Sequence, residues 1–258
     1  MIVCAHPDDE VLWFSSLLKT VDWTIICYLG SESDPLLGEG RAHSLAEHPI
    51  KAIECLDISE SDVFNDSNWV HPSMDNYGLV VDKSLPSYQK YLNNYSAIKK
   101  KLSIALSGYK NVFTHNPWGE YGNEEHIQLF TIIKQLKENM GFNLWFSNYC
   151  STKSCHFMSK HFQHFSSEYF SSTTDPDLTS EIIETYKRNN CWTWYDHWQW
   201  NKEETFIKYS ENEDSKQHYG TIIPLNLIKV EPLYIPVRRP SLIKRAFSRL
   251  HRYMPGKK

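Results

Sequence analysis

The chain opens on a short apolar run, Ile2 to Ala5. It is cut off at once by His6-Pro7-Asp8-Asp9-Glu10 and followed by apolar positions at Val11, Leu12, Phe14, Leu17 and Leu18. The run predicts a buried strand and the spacing after it a helix, with a tight polar turn between them. Residues 23–29 read as a second buried strand, and 31–40, with Asp34-Pro35 and two glycines, as a loop. Residues 41–56 read as a helix that Pro49 must kink or split. A weak strand is expected at 62–65, a long polar loop at 66–86 and a helix at 88–106. A strand at 111–114, a polar turn at 117–125 and a helix at 126–140 follow, the last with Ile127, Phe130, Ile133, Leu136 and Met140 on one face. After a further strand at 143–147 the pattern loses regularity. Asp175-Pro176 then signals the cap and first residue of a helix running to about residue 190, and a tryptophan-rich segment occupies 192–200.

Strands alternating with amphipathic helices predict an α/β fold, a Rossmann-like three-layer α/β/α arrangement around a mostly parallel sheet. No internal repeat or flexible linker interrupts it. One domain is expected over 1–239, with a separate tail at 240–258. The 258 residues suffice for one sizeable core, and 41% hydrophobic with 22% charged residues is ordinary for a globular protein. No apolar stretch approaches the roughly 20 residues of a membrane span. The first strand, at residue 2, leaves no room for a signal peptide, and six cysteines at irregular spacing read as free buried thiols. The cytoplasm is the expected compartment.

Charge changes the picture at one end. From Pro232 onward there is no acid, but there are eight bases, which leaves 19 of the 27 bases against 31 acids in the body. An acidic body argues against a nucleic-acid enzyme. Within 240–258, Leu242, Ile243, Ala246, Phe247, Leu250, Tyr253 and Met254 would share one helix face, and Lys244, Arg245, Arg249 and Arg252 the other. Such a helix suits peripheral docking on an anionic membrane, or packing on the acidic body. Oligomeric state is not legible.

Candidate chemistry lies in the two polar turns that follow strands. His6 and Asp9 offer an imidazole and a carboxylate to one ion, and His126, opening the next helix, a second imidazole. Two His and one carboxylate with an open position is the donor set of a catalytic zinc site, although Fe²⁺ or another divalent ion is also compatible. Such an ion lowers the pKa of bound water to about 7. Asp8, not needed as a ligand, is placed to act as general base. Glu10 reads as a first-turn acid or a support for a ligand, His115 as structural, and His156, His161 and His164 as loop or surface residues. The 192–200 tryptophans read either as core or as a platform for a sugar ring.

The run Ala5-His6-Pro7-Asp8-Asp9-Glu10 after an N-terminal strand, with Gly119-Glu120-Tyr121-Gly122 and His126 opening a later helix, resembles the PIG-L/LmbE zinc-dependent N-deacetylases. The resemblance implies removal of an acetyl group from an N-acetylated amino sugar, commonly N-acetylglucosamine on a carrier. It implies His6, Asp9 and His126 as zinc ligands, Asp8 as base, Tyr121 as the group that polarises the amide carbonyl, and Arg41 as a substrate contact. Asn123 and Trp118 complete the expected substrate-binding set. The second turn departs from the family's pattern: Asn123 stands where relatives carry a histidine, and Glu125 where they carry an aspartate. Asn cannot become a cation, so Asp8 is expected both to take the proton from water and to pass it to the leaving amine. Trp13 and Ser15-Ser16 replace a commonly Gly-rich stretch, narrowing the pocket floor. Two rivals are an amidase acting on a non-glycan N-acyl conjugate and a sugar-binding protein that has lost catalysis.

Overall fold

Strand β1 (Ile2–Cys4) is buried on both faces, which is why its three apolar residues show no polar alternation. The computed structural model describes residues 1–211 and 220–230. The tail at 240–258 and the end of the 1–239 unit fall outside these residues. After β1 come α1 (Asp9–Trp13), β2 (Thr24–Tyr28), α2 (Pro35–Ala46) and β3 (Ile53–Ile58). A two-residue hairpin pair, β4 (Met74–Asp75) and β5 (Gly78–Leu79), precedes α3 (Ser87–Ala105), β6 (Asn111–Thr114), α4 (Glu124–Met140) and β7 (Asn143–Ser147). The remainder is β8 (Tyr149–Ser151), α5 (Cys155–Ser159), β9 (Phe165–Thr173), α6 (Pro176–Arg188), β10 (Glu203–Tyr209) and β11 (Asn226–Ile228).

Seven strands form the central sheet in the order β3-β2-β1-β6-β7-β10-β9. The first five are parallel, and β10 then runs antiparallel to both β7 and β9. Side chains alternate across the sheet. Val3, Ile25, Val112 and Leu144 meet α3 and α4 through Ile98, Leu102, Ile127, Phe130 and Ile133. On the other face Ile2, Cys4 and Phe113 meet α1 and α6 through Leu12, Ile182 and Tyr186. Each such fully buried side chain contributes roughly 1.5–3 kcal/mol, and together they make the strand ends a rigid platform.

Several elements differ from the sequence reading. The helix expected over 41–56 is instead α2 followed by β3. Asp34 accepts from the Leu37 amide with Pro35 at the first turn, so the helix starts inside the expected loop. It stops before Pro49, and Ile53–Ile58 pairs in parallel with β2. No strand forms at 62–65, where Asp62 and Asn65 have φ of 63° and 65°. The helix after β1 lasts one turn. The Ser16 amide and the Ser15 hydroxyl bond to the buried Glu204 carboxylate (2.8 and 3.0 Å), and a single 3₁₀ turn at Ser15–Leu17 takes over. Glu204 also accepts from Tyr149 Oη at 3.0 Å.

Candidate metal centre

In the sheet, β1 has β2 on one side and β6 on the other, so the chain leaves β1 in one direction and β6 in the opposite one. A crevice at the carboxyl ends of these strands is the expected ligand position in such a sheet. The turns after β1 and β6 both open there. Beyond β6, Gly119 (φ 66°) closes the turn: a Cβ on it would lie 2.5 Å from the Asn123 carbonyl oxygen. Asn123 then caps α4, its Oδ1 accepting from the amides of Glu125 (2.8 Å) and His126 (3.3 Å).

These turns bring three donor atoms to one point. His6 Nδ1 and Asp9 Oδ2 are 3.2 Å apart, Asp9 Oδ2 and His126 Nε2 3.2 Å, and His126 Nε2 and His6 Nδ1 3.3 Å. Four-coordinate zinc with bonds of about 2.0–2.1 Å has donor–donor edges of about 3.3 Å, so this triangle has the size of one tetrahedral face. The other ring nitrogens are committed: His6 Nε2 donates to Glu125 Oε2 at 2.9 Å and His126 Nδ1 to Glu120 Oε2 at 2.8 Å. A carboxylate behind each imidazole fixes the tautomer that turns a lone pair inward. Glu125 is itself held by the amide and hydroxyl of Ser61 (2.7 and 2.6 Å). Asp9 Oδ1 accepts from the Trp13 indole at 2.8 Å, leaving Oδ2 for the centre.

Charge is distributed to match. Burial opposes ionisation of Asp9, but His126 and His115 outweigh it and hold the carboxyl well below its usual range. Burial likewise opposes a charged His6, yet Glu60, Asp9 and Glu125 raise it well above its ordinary value. A field that retains a proton on His6 also favours a bound cation. Glu120, despite burial, is kept at about 2, its carboxylate accepting from the Nδ1–H groups of His115 and His126.

His115, read as structural, lies within this cluster. Its ring stacks on His126 with centroids 3.8 Å apart, and Nδ1 meets Glu120 at 3.0 Å. Against its burial, Glu120 and Asp9 favour the cation and raise it to about 9. The Ala5 amide nevertheless donates to Nε2 at 2.9 Å, which requires a lone pair there. This bond decides for the neutral ring, and His115 braces His126.

Asp8 is buried with φ 105°, a strained backbone for a non-glycine residue. Its amide donates to Glu10 Oε2 at 3.0 Å, and Glu10 is anchored by Tyr186 Oη at 2.9 Å. The Asp8 side chain does not cap α1. It accepts instead from Thr193 Oγ1 at 2.6 Å. Burial and the neighbouring Asp9 push its carboxyl up, Arg41 and Thr193 pull it down, and the balance lies at about 7. Arg41 is buried in an ion pair with Glu60, and it also donates to the Leu29 carbonyl at 3.3 Å.

Tyr121 is half-buried, its ring edge-on to His126 at 5.4 Å. Asn123 Nδ2 donates to Tyr121 Oη at 3.0 Å, so the phenol's own proton must point elsewhere. Burial keeps that phenol far from ionisation. Trp118 is the correction. Expected to contact substrate, it is wholly buried, donates to the Tyr149 carbonyl at 2.7 Å and stacks on Phe165. Thus His6, Asp8, Asp9, Tyr121, Asn123 and His126 gather in one crevice with Arg41 behind Asp8, while Trp118 is core. Glu120, Glu125, Ser61, His115 and Thr193 were missed. Two carried a signal, Glu120 as the acid of the Gly-Glu-Tyr-Gly turn and Glu125 as the acid standing where relatives carry an aspartate.

No model of a protein family matches the chain, and no curated protein does. Among solved structures it is similar to the zinc-inhibited form of the teicoplanin deacetylase Orf2. That match has a TM-score of 0.51 and 13% identity, and covers 83% of this chain and 99% of the other. It is also similar to the A40926 pseudoaglycone deacetylase Dbv21, with a TM-score of 0.50 and 9% identity, covering 81% and 96%. The likeness is one of fold. At these identities the site must be argued from its own atoms.

Proposed function

We propose that this chain is a metal-dependent hydrolase that removes the acetyl group from an N-acetylated amino sugar carried in a glycan, glycolipid or other conjugate. The observation that carries the reading is the triangle of His6 Nδ1, Asp9 Oδ2 and His126 Nε2, with Asp8 next to Asp9 in the chain and the Tyr121 ring against His126. Similarity in fold to the deacetylases Orf2 and Dbv21 agrees with removal of an acetyl group.

His6, Asp9 and His126 would hold the ion, zinc in the first instance. When bound, it supplies hydroxide at neutral pH and a Lewis acid for the carbonyl. The chain's own residues do the rest. Asp8, poised at about 7, takes a proton from the attacking water and delivers it to the leaving amine. Tyr121, its oxygen already receiving a hydrogen bond from Asn123, turns its proton to the developing oxyanion. Glu120 and Glu125 keep the two imidazoles in register, and Arg41 steadies the ionised form of Asp8 against burial. A neutral Asn123 cannot serve as an acid, so both proton transfers fall to Asp8.

No helix among the described residues is long and apolar enough to cross a membrane. We read the chain as one catalytic unit over 1–239, acting in the cytoplasm, with a basic tail at 240–258 available to an anionic membrane surface.

The test is acetate release by the zinc-loaded protein from pooled N-acetyl sugars, free, nucleotide-linked and lipid-linked, with Asp8→Asn in parallel. Release by the wild type and loss of at least about 100-fold in the variant, zinc content unchanged, is the expected outcome. Full turnover by Asp8→Asn would end the mechanism as written. No release from any sugar would end the deacetylase reading.

A further inference from the structure

The segment 192–200 has no regular secondary structure, yet it is fastened across the front of the site. Cys191, just before it, is buried with Sγ 3.1 Å from Ser44 Oγ. Near its far end the Trp200 indole donates to the Val11 carbonyl at 2.6 Å. Between these anchors, two consecutive residues touch the two side chains that the proposed reaction uses. Thr193 Oγ1 donates to Asp8 Oδ2, and the Trp194 ring packs against Tyr121 at a 56° tilt with centroids 4.8 Å apart. Trp13 and Trp198 brace Trp194 edge-on at 5.3 and 5.6 Å.

The Thr193 bond joins an exposed threonine to a buried carboxylate 185 residues away. Nothing local orients that carboxylate, because Asp8 is not bonded to the helix start it precedes. The terminal torsion of an Asp is broad and two-fold, so its two oxygens exchange unless a partner holds one of them. Among the described residues, Thr193 is the side chain that hydrogen-bonds the Asp8 carboxylate. A hydroxyl at 2.6 Å occupies Oδ2 and leaves Oδ1 for a proton.

We propose that Thr193 is a positioning residue for Asp8, its hydroxyl selecting the carboxylate orientation in which Oδ1 works as the base while Trp194 seats the strap on Tyr121. The role as base rests on the deacetylase reading; the bond that holds Asp8 does not.

The experiment compares zinc-loaded wild type, Thr193→Val and Thr193→Ser in the full chain. It reads acetate release, and separately hydrogen–deuterium exchange in peptides covering residues 6–13 and 192–200. We expect Thr193→Val to lower kcat by about 10- to 100-fold with KM within about threefold. Thr193→Ser should stay within about threefold of wild type, and only the Val variant should exchange faster in both peptides. A threonine that only filled space would tolerate valine, which keeps its shape, better than serine, which does not. The inference is overturned by a Val variant with kcat near wild type, by a Ser variant as impaired as Val, or by unchanged exchange in Val. If the wild type releases no acetate, the deacetylase reading fails, and the exchange comparison still decides whether Thr193 holds Asp8.

Discussion

Replacing Asn123 by aspartate tests the polarity of the site without disturbing its scaffold. Asn123 does two things at once: Oδ1 caps α4 through the Glu125 and His126 amides, and Nδ2 donates to Tyr121 Oη. An aspartate caps a helix as well as an asparagine does, and its charge sits favourably at the helix start. The cap is kept, but the new charge is buried beside other acids, so a loss of about 1–2 kcal/mol is expected without loss of the fold. The second oxygen of the new carboxylate, however, can only accept. It would reverse the bond to Tyr121 and draw in the proton that now faces the crevice. Loss of one oxyanion donor costs about 10²–10³ in kcat, or about 2.7–4 kcal/mol. Asn123→Ser is the control, because it keeps a capping oxygen and leaves the Tyr121 proton free. Its kcat should fall only a few-fold. The assay is kcat for acetate release with thermal melts of all three proteins. Equal losses in Asp and Ser, or an Asp variant near wild type, would refute the reasoning that Tyr121 is the donor.

Further outcomes can be checked alongside. Glu120→Gln removes the charge behind His126 Nδ1 and should weaken zinc binding by about 10- to 100-fold, measured by competition with a chelator; unchanged affinity would remove Glu120 from the site. Trp118→Phe should leave KM unchanged and cost about 1–2 kcal/mol in denaturant unfolding, since it removes buried ring volume and one of the two donors to the Tyr149 carbonyl, Asn116 remaining; a large rise in KM would restore Trp118 to the binding set. His161 is depressed to about 4 by burial, with His164, Lys134 and Lys160 nearby. The unfolded chain therefore takes up its proton first, and stability should decline as pH falls through about 6.5, the decline ending near 4. His161→Phe should melt increasingly above wild type between pH 7 and 5, and a constant difference would contradict this.

What could be read in advance follows the range of the interactions. Four of the five parallel strands, all but β3, were legible because burial writes near-continuous apolar runs, and the two ligand turns because they follow such runs directly. The α2–β3 boundary was missed although Asp34-Pro35 is a local cap signal, since the strand's half-buried alternation resembles a helix face. The β9–β10 pairing could not be read. Its ladder joins residues 30 to 44 positions apart, from Glu203 with Thr173 to Tyr209 with Phe165, with serines and threonines where apolar residues would mark a strand. The supports of the centre behave alike: Glu125 meets His6 across 119 residues and Thr193 meets Asp8 across 185. Trp118 misled because a tryptophan beside a glycine turn reads as exposed, and its partner, the Tyr149 carbonyl, belongs to a later strand.

The buried carboxylate of Glu204 bears on how the site is assembled during synthesis. It ties the floor of the crevice, at Ser15 and Ser16, to a strand made nearly two hundred residues later. The imidazole and acids of the first turn therefore leave the ribosome long before the strand that seats them. At about 5–20 residues per second, that interval is on the order of ten to forty seconds. Throughout it the first turn carries its donor atoms without the floor that Glu204 fixes beneath them, so on the proposed reading discrimination among ions would follow the docking of β10.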